Sequence, residues 1–294
     1  MLIAIGILAG AIVPIQTIAN TRLSRTTGTA LSASLLSFSV GTIALLIITS
    51  ITGTLPQLHQ VLAQPPSTLI GGALGVIALS GNIILYPKLG AIQTVVLPIC
   101  GQIIAGLLID SFGLFDAPII PPNFLRILGA AVVLIGVIAC VWRPNTTSAK
   151  HHLPLQLAGI GFGMCLAAQS AINGQLGRSL GSALSAALVS FVVGTATLTL
   201  VNCYPRWRPN LWITRPLGPW WMWIGGICGA SFVSVNALLA PQIGTGLTVM
   251  AALGGMMAAS VVVDWVRGAR VTGMQVLGLL LLAAGVSLLT FGKS

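Results

Sequence analysis

The chain has 294 residues, 56% of them hydrophobic and only 5% charged, with a mean hydropathy of +1.02. Soluble domains carry roughly a quarter charged residues, so this composition excludes a water-facing surface and makes the chain an integral membrane protein. A net charge of +10 could suit nucleic acid, but the 13 basic residues stand singly or in small groups between apolar segments. No continuous basic stripe results, and these residues read as loop charges that orient the chain in a bilayer.

A membrane-spanning helix needs about 20 apolar residues. Such runs predict helices near 2–20, 30–51, 68–86, 91–109 and 125–142, then near 155–173, 183–203, 220–239, 245–263 and 274–291. The expected fold is all-α and integral to the membrane, with ten transmembrane helices. The first run has no basic n-region and no clear small-residue cleavage site before Asn20, so it reads as a span and not as a signal peptide. RPNTTSAKHH, residues 143–152, is the longest polar stretch. It divides the chain into a first five-helix unit over 1–142, a linker over 143–153 and a second unit over 154–294.

The two units repeat one another. At an offset of 153, Gly6, Gly10, Gln16, Asn20, Arg25, Phe38 and Thr42 recur as Gly159, Gly163, Gln169, Asn173, Arg178, Phe191 and Thr195. At an offset of 154, Gly71, Gly75, Asn82, Pro87 and Asp110 recur as Gly225, Gly229, Asn236, Pro241 and Asp264. Apolar composition produces chance leucines, but not Gln, Asn, Arg, Pro and Asp in a shared order. Five is odd, so the second unit must enter the membrane from the opposite side. That is the inverted-repeat plan of many secondary transporters, which hold substrate between repeats near the midplane.

The alternation sorts the charges. Arg22, Arg25, Lys88, Arg143, Lys150, Arg206, Arg208, Arg215, Arg267 and Arg270 fall on one face, and Arg126, Arg178 and Lys293 on the other. Ten against three places the first face in the cytoplasm and both termini outside.

Gln16 and Asn20 are four apart, as are Gln169 and Asn173, so each pair shares a helix face. An amide without a partner is costly in hydrocarbon, so these pairs face the protein interior or a wet cavity. One reading is interhelical hydrogen bonding, worth about 1 kcal/mol in membranes; the other is cavity lining or gating, and both stay open because the pairs fall nearer the ends of the drawn helices than the midplane. Gln102 lies close to the centre of its helix, after Pro98 and Gly101 in VVLPICGQIIAG, where a proline frees a backbone carbonyl. The second unit has Ala252 and Met256 in place of Pro98 and Gln102, so an asymmetric cavity is expected. With Asn82 and Asn236, also within spans, the cavity candidates are Gln16, Asn20, Asn82, Gln102, Gln169, Asn173 and Asn236.

Other marked residues read as structure. Gly6-x3-Gly10, Gly71-x3-Gly75 and their copies are ridges for close helix packing. The seven tryptophans cluster near predicted helix ends, as an interfacial belt does. Asp110 and Asp264 end helices and read as interfacial pairs or helix-end contacts. Cys100, Cys140, Cys165, Cys203 and Cys228 lack CxxC spacing and read as small packing residues, and His151-His152 as a solvated loop. No metal, cofactor or catalytic residue is implied.

The ordered set Q-x3-N-x-x-L-x-R-x-x-G with S-F-x-x-G-T, followed by GQIIAGLLIDSFGLF, resembles the drug/metabolite transporter superfamily, in particular its YdcZ-type inner-membrane branch. The resemblance covers nearly the whole chain; it is specific in residues 6–42, 94–115 and 159–195 and looser in 220–291. It implies a ten-helix transporter fold in a bacterial inner membrane, and it carries over no binding residue, because substrates of that branch are mostly unknown. Two features depart from relatives: no glutamate stands in the first helix, as it does in the small multidrug exporters, and ten-helix relatives tend to keep both termini in the cytoplasm.

The function expected is carriage of a small neutral, zwitterionic or weakly cationic metabolite or drug-like compound by alternating access, as export or exchange. The partners expected are that small molecule and the lipid bilayer, with no nucleic acid, and a single chain forming the working unit. A membrane enzyme would need convergent acids, histidines or an activated nucleophile, and the three acids and three histidines lie mostly at helix ends or in loops. A scaffold or channel is the alternative; a channel favours a ring of like groups along a continuous pore.

Overall fold

The computed structural model describes residues 1–56, 58–141, 153–203, 218–266, 268 and 270–292. The side chains of 30, 58, 82–84, 86–87, 90–94, 141 and 264 are outside that description, as are the expected linker and Arg143, Lys150, Arg206, Arg208, Arg215, Arg267 and Lys293 of the charge count. The described residues form helices without strands. They are α1 (Leu2–Thr27), α2 (Ala30–Ile51), short α3 (Leu58–Leu62) and α4 (Pro66–Leu69), α5 (Gly71–Phe112), α6 (Phe124–Val141), α7 (Leu153–Ser179), α8 (Ala183–Cys203), α9 (Ile224–Ile243), α10 (Thr245–Val266) and α11 (Gly273–Phe291).

Eight helices or helix segments are long and apolar enough to cross a membrane, and two shorter apolar stretches, Gly71–Gly81 and Phe124–Cys140, accompany them. Large apolar side chains point outward, with Ile51 79%, Leu200 75% and Phe112 71% exposed. An apolar exterior of this extent would be untenable in water and is what lipid requires. The chain is a multi-pass membrane protein.

Two separate helices were expected over 68–86 and 91–109, whereas α5 is helical without a break for 42 residues. It nevertheless folds back on itself. Leu85 and Leu97 both approach Gly159 of α7, within 3.4 and 3.2 Å of where a Cβ on that glycine would stand. Twelve residues of straight helix would separate them by about 18 Å. The first leg runs from Gly71 beside Asn173 to Leu85 beside Gly159, and the second returns to place Ala105 and Ile109 against Ala167 and Ala171. The matching stretch of the second half is cut at Gly244 (φ 90°, ψ 153°) into α9 and α10.

Contacts between the halves come in matched pairs. On Gly10, a Cβ would stand 1.9 Å from the carbonyl oxygen of Ala252, and on Gly163, 1.9 Å from that of Pro98. Only glycine allows either crossing, which is the close packing expected of the small-residue ridges. Helices α2 and α8 run antiparallel: Leu45 packs among Ala187 and Leu188, Gly41 under Phe191, and Gly194 under Phe38. Helices α6 and α11 are antiparallel too, with Gly129 against the Gly285 carbonyl and Gly136 against the Gly278 carbonyl, and the reverse. Their shared L-G-x6-G-V pattern (128–137 and 277–286) went unread in the sequence.

Helix ends sort into two groups. At one end Thr26 meets Met222. At the other, the Ser185 hydroxyl donates to the Thr54 carbonyl, and Asn123 Nδ2 donates to the Gly292 carbonyl at 2.6 Å. Asp110 also lies there, fully buried. It accepts from Arg126 Nη2 at 2.9 Å and from the backbone N–H groups of Thr245 (2.6 Å) and Gly246 (3.0 Å). Its carboxylate thus caps the first turn of α10, where backbone donors have no intrahelical acceptor. Asp110 is therefore a helix-end ion pair, as its position suggested; the Asp264 side chain lies outside the described residues.

Candidate functional site

Both long first helices extend beyond their expected ends, α1 to Thr27 and α7 to Ser179. Gly28 stops α1 with φ 86° and its N–H on the Ser24 carbonyl, and Gly181 follows α7 with φ 70°. This moves the amides inward: Gln16 and Gln169 lie near the middle of their helices and not close to the ends as drawn from sequence.

Each amide pair lands on a glycine pair. The Asn20 carbonyl oxygen lies 2.2 Å from the position a Cβ would take on Gly225, and Gln16 Nε2 2.7 Å from that on Gly229. In the same way Asn173 covers Gly71 at 2.3 Å, and both amide atoms of Gln169 lie 2.7 Å from the Gly75 position. The i, i+4 amides of α1 and α7 fit i, i+4 glycines on α9 and α5. The Gly71-x3-Gly75 motif and its copy, expected as helix-packing ridges, are thus seats for side-chain amides.

Between these seats is a cavity of about 240 Å³. Gln16, Asn20, Gln102, Gln169, Asn173 and Asn236 all line it, and so the structure brings together six of the seven sequence-chosen residues. Asn82, the seventh, sits in the first leg of α5 with its side chain outside the described residues. Asn173 Nδ2 donates to Ser190 Oγ at 3.2 Å, and Asn236 Nδ2 to the Phe232 carbonyl at 2.9 Å. The side-chain oxygens of Asn20 and Asn173 are buried without a hydrogen-bond partner among the described residues; they rest on glycine Cα–H groups, a weak contact. The amides of Gln16, Gln102 and Gln169 make no hydrogen bond to any described residue. Each offers donors and an acceptor to whatever occupies the cavity.

The cavity also has an aromatic wall, which the sequence reading did not single out. Phe38 and Phe191 stack with ring centroids 4.9 Å apart and 28° between planes, and Phe232 adds a third ring. The signal was present: S-F-x-x-G-T occurs in both halves, and each phenylalanine needs the glycine of the other copy beneath it, Gly41 or Gly194. Gln102 faces the cavity from the second leg of α5, and its matched position on α10 brings the apolar Met256. Among the described residues no acidic or basic side chain lines the cavity. Among the described residues the polar side chains of its wall are the amides and the hydroxyls of Ser37 and Ser170, and the other side chains are apolar.

The family model described as "Putative inner membrane exporter, YdcZ" matches the chain twice, over residues 1–139 and 155–288. Comparison with curated proteins gives no match. Among solved structures, a crystal structure of a protein aligns over 99% of this chain and 96% of its own, with a TM-score of 0.73 at 15% identity; at that identity the likeness concerns the fold alone. Both halves match one transporter model and close together on one amide-lined cavity, and the chain belongs to the YdcZ branch of the drug/metabolite transporters, multi-pass proteins of the inner membrane.

Proposed function

We propose that the chain is a carrier of a small neutral, zwitterionic or weakly cationic metabolite or drug-like compound, moved by alternating access as export or exchange. The observation that carries this reading is the set of glutamine amides that, among the described residues, have no hydrogen-bond partner and line a cavity without charged side chains between matched helices. An isolated anion would be poorly compensated among groups that carry no formal charge. A weakly held cation can rest on the faces of Phe38 and Phe191. About 240 Å³ lies below the usual 300–1,000 Å³ of drug-sized sites, which favours a small solute.

In this reading the fold comprises ten spans. The two legs of α5 count separately and α6 is a full crossing, so the halves form inverted repeats over 1–142 and 154–294. Antiparallel α2 and α8, meeting through residues one offset apart, support that symmetry. The ten-to-three charge count favours a cytoplasmic linker and external termini in a bacterial inner membrane. Covalent linkage makes pairing of the halves intramolecular, which favours a working monomer.

Counterflow in proteoliposomes tests the reading. Vesicles loaded with unlabelled solute, drawn from a library of neutral and zwitterionic metabolites, should transiently concentrate the labelled one. Equilibration without overshoot for a solute that does permeate would mark a channel, and no flux of any such solute would remove the carrier reading.

A further inference from the structure

The loop after α5 crosses from one half of the chain to the other. Phe115 (φ 58°) and Asp116 (φ 54°) both take the left-handed backbone conformation that residues other than glycine adopt at a cost. The Phe115 side chain packs on the cluster of Ala105, Ile109, Ala167 and Ala171, filling the seam between the second leg of α5 and α7. Asp116 Oδ2 accepts from Gln175 Nε2 at 2.6 Å, and the Asp116 main-chain carbonyl accepts from Arg178 Nη2. From behind, the Ile120 N–H donates to the Asp110 carbonyl at 2.8 Å and Arg126 donates to the Ile120 carbonyl. A strained loop is therefore pinned across the seam by polar contacts on both sides.

Its placement relates it to the cavity. Along α7 the order is Gln169 and Asn173 in the cavity wall, then Gln175 and Arg178 under the loop. Arg178 lies about 7–8 Å further along the axis than Asn173. The matched residues at the opposite end are Arg22 and Arg25, which follow Asn20 with the same spacing on α1 and whose guanidinium groups make no hydrogen bond or ion pair to a described residue. Where the 154-residue offset places the partner of Asp116 stands Arg270, exposed. One mouth thus combines a carboxylate with an amide and a guanidinium, whereas the matched positions on the other side are Arg22, Arg25 and Arg270.

We propose that Phe115 and Asp116, held by Gln175 and Arg178, form the gate that closes the cavity at the Asp110 end, and that the resting chain is closed there because these contacts pin the loop across the seam. Phe115 and Asp116 are positioning residues that set access and do not touch the solute. The proposal rests on the carrier reading.

Side-selective thiol labelling tests it. Ser170→Cys places a thiol on the cavity wall, in a background with Cys100, Cys140, Cys165, Cys203 and Cys228 replaced by alanine. An impermeant maleimide is applied to right-side-out and inverted vesicles. The parent should label slowly from the Asp110 end. Asp116→Gly removes the carboxylate and suits the left-handed backbone; labelling from that end should rise about fivefold or more, the shift that one lost hydrogen bond brings. Asp116→Asn keeps an acceptor for Gln175 and tolerates the same backbone, so it should label like the parent. Equal rates for the parent and Asp116→Gly, or Asp116→Asn labelling as fast as Asp116→Gly, overturn the gate. The assay needs no substrate: chains that exchange solute but show no labelling response sink the gate alone, whereas a labelling response without exchange of any solute sinks the carrier reading.

Discussion

Phe38 stacks on Phe191 with ring centroids 4.9 Å apart, and Phe191 stands 153 positions after Phe38. One turn along, Thr42 hydrogen-bonds Thr195 at 3.0 Å across the same offset. A residue that touches its own copy lies at the centre of the relation between the halves. The cavity opens beside this centre, so both copies of the amide motif reach it.

Glycine at the helix crossings is required by space. Gly163→Ala would place a Cβ 1.9 Å from the Pro98 carbonyl oxygen, backbone that cannot rotate away. The expected cost is about 1–3 kcal/mol, typical of overpacking, read as a lower unfolding temperature in detergent. Gly161→Ala, two residues earlier with nothing within 4 Å of the new methyl, is the control and should leave stability unchanged or slightly raised.

The Asp110–Arg126 pair is 0% and 3% exposed, and removing one partner strands the other. Arg126→Met should cost about 3–5 kcal/mol, since an uncompensated charge remains buried. Asp110→Asn should also destabilise, because its amide N–H₂ would face donors from Arg126 and the α10 amides. Chemical unfolding in mixed micelles measures both, and retention of parental stability by Arg126→Met would remove this pair from the account.

Much of this was legible in the sequence because polar residues are scarce in it. Gln16, Asn20 and their copies stand out against an apolar background, and the cost of burying an amide without a partner forces them inward. The repeat spacing assigned their neighbours without any contact information. The two legs of α5 were legible as well, since spans were expected over 68–86 and 91–109 with Pro87, Lys88 and Gly90 between them; that the backbone stays helical through this point was not. Two further features were not legible. Phe38 and Phe191 look like ordinary core residues until the antiparallel approach of α2 and α8 brings them together. Asp116 sits in SFGLFDAP as one of three acids, but its role depends on α7 passing beneath it, which spacing alone does not reveal.

Gln102 contributes the amide that Met256 does not. Gln102→Ala and Gln102→Leu should both impair transport while still reaching the membrane, by about 1–3 kcal/mol if a polar group of the solute loses its partner. Transport rates normalised to membrane abundance decide it; normal transport by both variants would make Gln102 a packing residue.

The charge count makes an independent claim on orientation. Lys150→Cys should label from the cytoplasmic side and Lys293→Cys from outside, in intact cells against inverted vesicles. Labelling of position 293 only from the cytoplasm would reverse the orientation and leave the repeat untouched.

The central claim is that one chain, with one amide-lined cavity between its halves, is a complete carrier. The direct measurement is counterflow in vesicles reconstituted at well under one chain each, comparing the parent with Gln16→Leu and Gln169→Leu. The account predicts labelled solute overshooting in the occupied fraction of parent vesicles, and loss of the overshoot in both variants. Overshoot that vanishes whenever chains are singly distributed, or that persists undiminished in both glutamine variants, would contradict it.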